Sequence, residues 1–412
     1  MRKPRCSFCV RHSRCWGSVH LWQRGENAEK RLVADMRPSR GLAFGTAMLL
    51  LVAGCGRPLG SAPMLNDTVG SPLSGHLDSR SAGPIATRPI REAPSLSSAA
   101  GRSVAPEFRQ AVFQLDGRTD RRIVYRDHGR TDARLTLVLL HGVGSSQAAW
   151  MELLPHLLDD HRVITLDLLG HGDSDKPVEF GYSMSEQAGI VRKLMRVLRL
   201  GDVVLVGHSY GAGVALELAL DQASSPSECL PESSGTIRGA VLLDPSALYF
   251  DKPSLLSLMS GTSVSLLEAL FSTEARARLL LEVSFWDRRR VPAALLAEYV
   301  RAFRDPRTTD VYLWIANKQL FKELAARRES EHHYSAVSIP VLVLWGEHDR
   351  VVPRAVFERL CGILPRADCQ VVPNCGHSPA EEQPEDTAAR IERFIARHIE
   401  TSVEIVSAEP LN

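Results

Sequence analysis

The distribution of apolar residues predicts a sheet of mostly parallel strands from about Ala111 onward. Two short runs come first and are typical of an opening hairpin. The next five runs are almost wholly apolar, which indicates strands covered by helices on both faces. In chain order the runs are Val112–Leu115, Ile123–Tyr125, Leu135–Leu140, Val163–Leu166, Val203–Val206, Ala240–Leu243, Val341–Trp345 and Cys369–Val372, with a helix from Glu385 to His398 after them. We therefore expect an α/β fold with a doubly wound, mostly parallel, eight-stranded sheet.

A long segment interrupts this pattern between Leu243 and Val341. Its roughly 95 residues are too many for a connection in a compact sheet, and its leucines and aromatic residues recur mostly at helical spacing. We expect an inserted helical cap. The predicted domains are a core over residues 111–246 and 339–402 and a cap over residues 247–338.

The N-terminal region combines a short apolar segment with a long polar one. Met36–Arg40 is basic, and the apolar stretch Gly41–Gly54 follows and ends at Cys55. About a dozen apolar residues suit a signal peptide, whereas a membrane-spanning helix needs roughly 20. We expect a signal peptide over residues 36–55, with residues 1–35 untranslated or disordered. Residues 56–110 are dense in Ser, Gly, Pro and Ala and predict a disordered linker.

The segment Val52–Cys55 resembles the lipobox of bacterial lipoproteins, in which the cysteine is acylated and becomes the new N-terminus. The resemblance implies a lipid on Cys55 and an exported protein held at a membrane of the bacterial cell envelope. Several acyl chains make such attachment stable, since each buried methylene contributes about 0.8 kcal/mol. An ordinary secretory signal without lipid is the alternative.

The overall charge indicates no macromolecular partner. The 49 basic and 48 acidic residues give a net charge of +1, so we expect no nucleic-acid binding. The His, Asp and Glu positions suggest no metal-ligand set, and no glycine-rich phosphate loop is present. We expect no metal and no cofactor, and a small-molecule substrate as the partner of the domain. The oligomeric state stays open.

A candidate nucleophile lies in Gly207–Gly211, which reads Gly-His-Ser-Tyr-Gly. This string follows the strand run Asp202–Val206 and opens into a helical run from Ala212. A tight turn from strand to helix lifts the central hydroxyl above the sheet, and the helix N-terminus favours negative charge there. The context predicts that Ser209 is a nucleophile rather than an ordinary helix-capping serine.

Four further segments resemble the α/β-hydrolase family, and the resemblance covers about Ala111 to Ile399. They are His141–Gly144, Asp167–Ser174, Trp345–Pro353 and Asn374–Pro379. The resemblance implies a serine hydrolase in which His377 is the general base and Asp349 orients it. It places the oxyanion hole at the backbone N–H groups of Val143 and Tyr210. Asp244, at the end of the sixth strand, is the rival acid.

The bond that is cleaved is less defined than the site. Ser209 argues against haloalkane dehalogenases and epoxide hydrolases, which carry Asp at the matching position. We expect a carboxylic-ester hydrolase that cleaves an ester or related acyl bond of a small apolar substrate through an acyl-enzyme. A carbon–carbon bond hydrolase, a perhydrolase and a catalytically silent envelope binding protein are the alternatives.

Cysteines of the predicted core could form disulfides, because an exported protein meets an oxidising compartment. Cys229, Cys361, Cys369 and Cys375 allow three full pairings. The short loop between Cys361 and Cys369 makes that pair the favoured one, and free thiols are the alternative.

Overall fold

Eight strands form one sheet, which confirms the predicted fold class. The computed structural model describes residues 108–115, 121–130, 132–224, 236–251 and 271–400. The strands are β1 Phe108–Gln114, β2 Arg122–Gly129, β3 Leu135–Leu140, β4 Arg162–Leu166, β5 Asp202–His208, β6 Ile237–Leu243, β7 Val341–Gly346 and β8 Ala367–Val372. Their order across the sheet is β1-β2-β4-β3-β5-β6-β7-β8.

The antiparallel part of the sheet is confined to one edge. Strand β2 pairs antiparallel with β1 and with β4, and the pairs from β4 to β8 are parallel. Strand β1 begins at Phe108, whereas the sequence placed residues up to 110 in the linker. That boundary was wrong because Phe108, Arg109 and Gln110 pair by backbone with His128, Asp127 and Arg126, a register that needs no apolar pattern.

Helices cover both faces of the sheet, as its apolar strands require. In β3, Val138 and Leu140 belong to one hydrophobic core, and Leu137 and Leu139 belong to a second core on the other face. The helices are α1 Met184–Val197, α2 Tyr210–Ser224, α3 Thr273–Ser284, α4 Ala293–Phe303, α5 Pro306–Trp314, α6 Leu320–Arg327, α7 Arg354–Ile363, α8 Pro379–Glu382 and α9 Pro384–Ile395.

Helices α3 to α6 lie between β6 and β7, inside the range predicted for the cap. Apolar residues of α3 and α4, with Leu281 and Leu295 among them, form a third hydrophobic core. A π-helical turn, Ile315–Gln319, joins α5 to α6, and Val311 and Leu324 of these two helices belong to the first core, which covers one face of the sheet. One half of the cap therefore packs on itself, and the other half extends a core of the sheet.

Several predictions concern residues outside the described ranges. These are residues 1–35, the signal peptide, Cys55, the linker up to residue 107, Cys229 and residues 252–270 of the predicted cap. Within the described ranges, no helix is long and apolar enough to cross a membrane. Cys361 and Cys369 form a disulfide, while Cys375 is a buried free thiol.

Candidate active site

The turn that carries Ser209 is held in a conformation that non-glycine residues seldom adopt. Ser209 has a φ of 51° and sits between the end of β5 and the start of α2. A Cβ on Gly207 would lie 2.5 Å from the carbonyl oxygen of Gly211, and a Cβ on Gly211 would overlap the carbonyl of Leu140. The two glycines of the motif are therefore required by the close packing of backbone against backbone.

The hydroxyl of Ser209 is buried and has a hydroxyl neighbour. Its Oγ lies 3.2 Å from the Oγ of Ser246, which follows β6. The backbone of Ser209 is fixed on both sides, because its N–H donates to Leu243 O and its carbonyl accepts from Ser246 N. Ser246 was not among the predicted site residues, although its position two residues after the rival acid Asp244 indicates that it lies near the carboxyl edge of the sheet.

Asp349 and His377 form a buried pair. His377 Nδ1 lies 2.8 Å from Asp349 Oδ2, and the Asp349 side chain is 0% exposed. The other carboxylate oxygen accepts from the backbone N–H groups of Val351 and Val352, at 2.6 and 3.0 Å. These bonds satisfy the carboxylate and fix its plane, so Asp349 can hold the imidazole in one tautomer, with the proton on Nδ1.

His208 connects the nucleophile turn to the loop of the base. Its Nε2 donates to the carbonyl oxygen of His377 at 2.6 Å, and the two rings are 4.9 Å apart. Burial, followed by the neighbouring His377, lowers the pKa of His208 to about 3, so this ring stays neutral. Since Ser209 is the next residue, this bond keeps the base loop beside the nucleophile. His208 was not among the predicted site residues.

The cap also binds the loop of the base. The carbonyl of Ser284, the last residue of α3, accepts from His377 N at 2.7 Å. One oxygen of Glu382 accepts from Gly376 N at 2.8 Å, and its other oxygen accepts from Trp286 N at 2.7 Å. The loop of His377 is therefore held to the cap by one backbone–backbone bond and by the side chain of Glu382, and no sequence motif indicates either contact.

Trp286 of the cap reaches the loop that carries the acid. Its ring stacks on His348 at 3.7 Å between centroids, and the guanidinium of Arg350 lies 5.4 Å from the ring centroid. His348 and Arg350 flank Asp349 in the chain. The cap thus contacts both loops that hold the Asp349–His377 pair.

The predicted oxyanion loop lies against the nucleophile turn. A Cβ on Gly142 would be 3.3 Å from Ser209 Cβ, which shows how closely the two turns approach. His141 orders this loop, since Nδ1 donates to Gly142 O at 2.8 Å and Nε2 accepts from Leu168 N at 3.1 Å. Tyr210 begins α2, where first-turn N–H groups have no partner within the helix. The N–H groups of Val143 and Tyr210 thus belong to adjoining turns.

Asp244, the rival acid, lies beside the pair rather than in place of Asp349. One atom each of Asp244, Asp349 and His377 lie within 4.8 Å of one another. Gly346 N donates to Asp244 Oδ1 at 2.8 Å, whereas His377 bonds to Asp349. The structure therefore brings Asp244, Asp349 and His377 together, and the bond from His208 to His377 links this group to the turn that carries Ser209.

Comparison with known proteins agrees with this geometry. The model of the alpha/beta hydrolase family matches residues 137–390, more than half of the chain. The chain belongs to the alpha/beta hydrolase family. This hydrolase is 29% identical to the uncharacterized hydrolase YugF of Bacillus subtilis. The alignment spans 293 residues and covers 69% of this chain and 96% of YugF.

Three further proteins to which the hydrolase is similar have names that state a reaction. A 2-hydroxymuconate semialdehyde hydrolase of a Pseudomonas species is 26% identical, over 71% of this chain and 95% of that protein. The meta-cleavage product hydrolase of Pseudomonas fluorescens is 25% identical, with a TM-score of 0.56 over 67% of this chain and 94% of that structure. A membrane phospholipase A is 26% identical, with a TM-score of 0.54 over 70% of this chain and 86% of that structure.

Proposed function

We propose that this hydrolase cleaves an ester or related acyl bond through an acyl-enzyme on Ser209. The observation that carries the proposal is the buried 2.8 Å contact between His377 and Asp349 next to a serine held at a φ of 51°. A hydroxyl needs a base to become a nucleophile, and the base needs a carboxylate to fix its tautomer.

In the proposed reaction, Ser209 Oγ attacks the carbonyl carbon and His377 Nε2 takes the hydroxyl proton. Asp349 stabilises the resulting imidazolium through Nδ1–H. The N–H groups of Val143 and Tyr210 receive the oxyanion, where each donor contributes roughly 3 to 4 kcal/mol to the transition state in other hydrolases. His377 then protonates the leaving alcohol, and water repeats the sequence to release the acid.

The surroundings of the oxyanion loop favour an apolar acyl group. A Cβ on Gly144 would lie 3.5 Å from Leu280 Cδ2 and even closer to the ring of Tyr312, so two cap side chains cover this turn. Leu280 is half-buried, and burial raises the pKa of Tyr312 far above its ordinary value, so both present neutral surfaces. A substrate entering beneath the cap would meet mainly uncharged groups.

The proposal is tested with purified protein and a fluorophosphonate probe. We expect covalent labelling at Ser209 and turnover of p-nitrophenyl esters, and we expect Ser209→Ala to lose both while it stays folded. Ser246→Ala is the matched control and should still be labelled, because its hydroxyl is the neighbour and not the nucleophile. Well-folded protein that is not labelled would favour the silent binding protein.

A carbon–carbon bond hydrolase is the second candidate, and two of the similar proteins favour it, the 2-hydroxymuconate semialdehyde hydrolase and the meta-cleavage product hydrolase. The same serine, base and oxyanion site would serve, with a carbon leaving group in place of an alkoxide. The discriminating assay compares kcat/KM for 2-hydroxymuconate semialdehyde with kcat/KM for esters of short and long chain. A value for the ring-cleavage product at least 100-fold above every ester would replace the ester proposal by this one.

We further propose that the hydrolase is an exported lipoprotein anchored through Cys55. The support is the basic, apolar and small-residue order of Met36–Cys55. Metabolic labelling with a fatty acid should mark the full chain, and Cys55→Ala should abolish the label and shift the protein to the soluble fraction. A Cys55→Ala protein that partitions into membranes like the wild type would refute the anchor.

A further inference from the structure

Asp244 is a carboxyl group that the proposed reaction does not use. It follows the last residue of β6 and is fully buried, with a φ of 43°. Its backbone N–H donates to Leu344 O, so the residue is fixed at the edge of the sheet where the Asp349–His377 pair lies. An unused acid in such a place must be either compensated or neutral.

The hydrogen bonds of the two carboxyl groups are unequal. Asp349 accepts three N–H groups, those of Val351, Val352 and His377. Asp244 accepts one N–H group, that of Gly346. Its Oδ2 is buried and accepts no hydrogen bond from any of the described residues. Of two acids that share a buried site, the one with more N–H donors is the one that ionises.

We propose that Asp244 keeps its proton and donates it from Oδ2 to Asp349, so that the two carboxyl groups carry a single negative charge. The proposal gives the orphaned Oδ2 a partner and explains how two acids and His377 fit within 4.8 Å. Asp244 is then a positioning residue, which holds Asp349 on the side opposite the base. The inference rests on the proposed function of the Ser209, His377 and Asp349 site.

The charges around Asp244 point the same way. Burial raises the pKa of Asp244 well above its ordinary value, and the negative charge of Asp349 raises it further, with a smaller contribution from Glu382. The other titratable groups that face this site are His377, which is bonded to Asp349, and the thiol of Cys375. Burial raises the pKa of that thiol, which leaves it uncharged. Neither Glu382 nor the Cys375 thiol can supply a positive charge that would compensate a second carboxylate, and Nδ1 of His377 is already bonded to Asp349.

Infrared spectroscopy tests the protonation state directly and needs no turnover. At pH 7, the difference spectrum of wild type minus Asp244→Asn should contain the carbonyl stretch of a protonated carboxylic acid. Asp368 is a half-buried aspartate on β8, and Asp368→Asn is the matched control. The difference spectrum of wild type minus Asp368→Asn should lack that carbonyl band, because the variant keeps the protonated acid. A difference spectrum of wild type minus Asp244→Asn with only a carboxylate band would overturn the proposal, whatever the enzyme cleaves.

Kinetics tests the positioning role. Asp244→Ala removes the donor to Asp349, and we expect kcat to fall about tenfold or more while KM stays within about threefold. Asp244→Asn keeps a donor for Asp349 and an acceptor for Gly346 N, so it should restore kcat to within about threefold of the wild type. The fall of kcat at acid pH should occur at the same pH in Asp244→Asn as in the wild type. A shift of that fall by about one unit or more to lower pH would mean that a charge had been removed, and would refute a neutral Asp244.

Discussion

Glu381 should make the stability of the hydrolase fall as the pH rises towards 8. This residue lies in α8, is 7% exposed, and faces a chain of hydroxyl groups. The hydroxyl of Tyr299 in the cap is 3.4 Å from Glu381 Oε1 and 2.8 Å from Ser145 Oγ beside the oxyanion loop. Burial raises the pKa of Glu381 from 4.5 to about 8, so the native protein holds a neutral acid there.

The magnitude follows from the linkage between proton binding and folding. Between pH 4.5 and 8 the native state binds this proton and the unfolded state has released it, so unfolding becomes easier as the pH rises. The difference of 3.5 units between 4.5 and about 8 corresponds to roughly 5 kcal/mol of unfolding free energy. Below pH 4.5 both states hold the proton and the effect is absent, and above about pH 8 it is complete.

Glu381→Gln isolates this contribution, since the amide cannot ionise and can still accept from Tyr299. We expect urea unfolding, followed by circular dichroism from pH 4.5 to 8.5, to show the variant gaining roughly 5 kcal/mol over the wild type across that range. Glu358→Gln, in an exposed ion pair with Arg354, is the control and should change the pH dependence by less than about 0.5 kcal/mol. Parallel curves for Glu381→Gln and the wild type would show that Glu381 is ionised in the native protein.

Three further substitutions test the nucleophile turn and the cap. Gly211→Ala places a Cβ against the carbonyl of Leu140 and should cost more than about 3 kcal/mol of unfolding free energy in denaturant titrations; a loss under about 1 kcal/mol would contradict the packing. Ser246→Ala should change kcat/KM for an ester by less than about threefold, and a 100-fold loss would make Ser246 part of the reaction. Trp286→Ala removes the stack on His348 and should cost about 1 kcal/mol in the same titrations, whereas no loss would show that the contact is incidental.

The fold and the positions of the candidate site residues could be predicted because each depends on residues close together in the chain. The strands could be located because a strand buried on both faces requires a continuous apolar run such as Leu135–Leu140. Gly207 and Gly211 mark the nucleophile turn, because no larger residue fits against the neighbouring backbone. Strand β1 was located less well, since an edge strand pairs by backbone and carries no continuous apolar signal.

Contacts between segments distant in the chain could not be predicted from the sequence. The bond from His377 N to Ser284 O joins residues of the base loop and the cap through backbone atoms, which leave no trace in side-chain identity. The same holds for Trp286 N, which donates to Glu382, since Glu382 reads as an ordinary helix residue. Buried carboxyl groups such as Glu381 look like surface residues in a sequence, and only the fold shows their burial.

These contacts attach the cap to the candidate catalytic site. The proposed base, His377, is held at three points: by Asp349 at its ring, by His208 at its carbonyl and by Ser284 of the cap at its N–H. The first two bonds come from the sheet domain. A cap that moves away must either break the third bond or carry the loop with it and disturb the other two. Access of substrate beneath the cap and alignment of the base are therefore coupled through the backbone of residues 284 and 377.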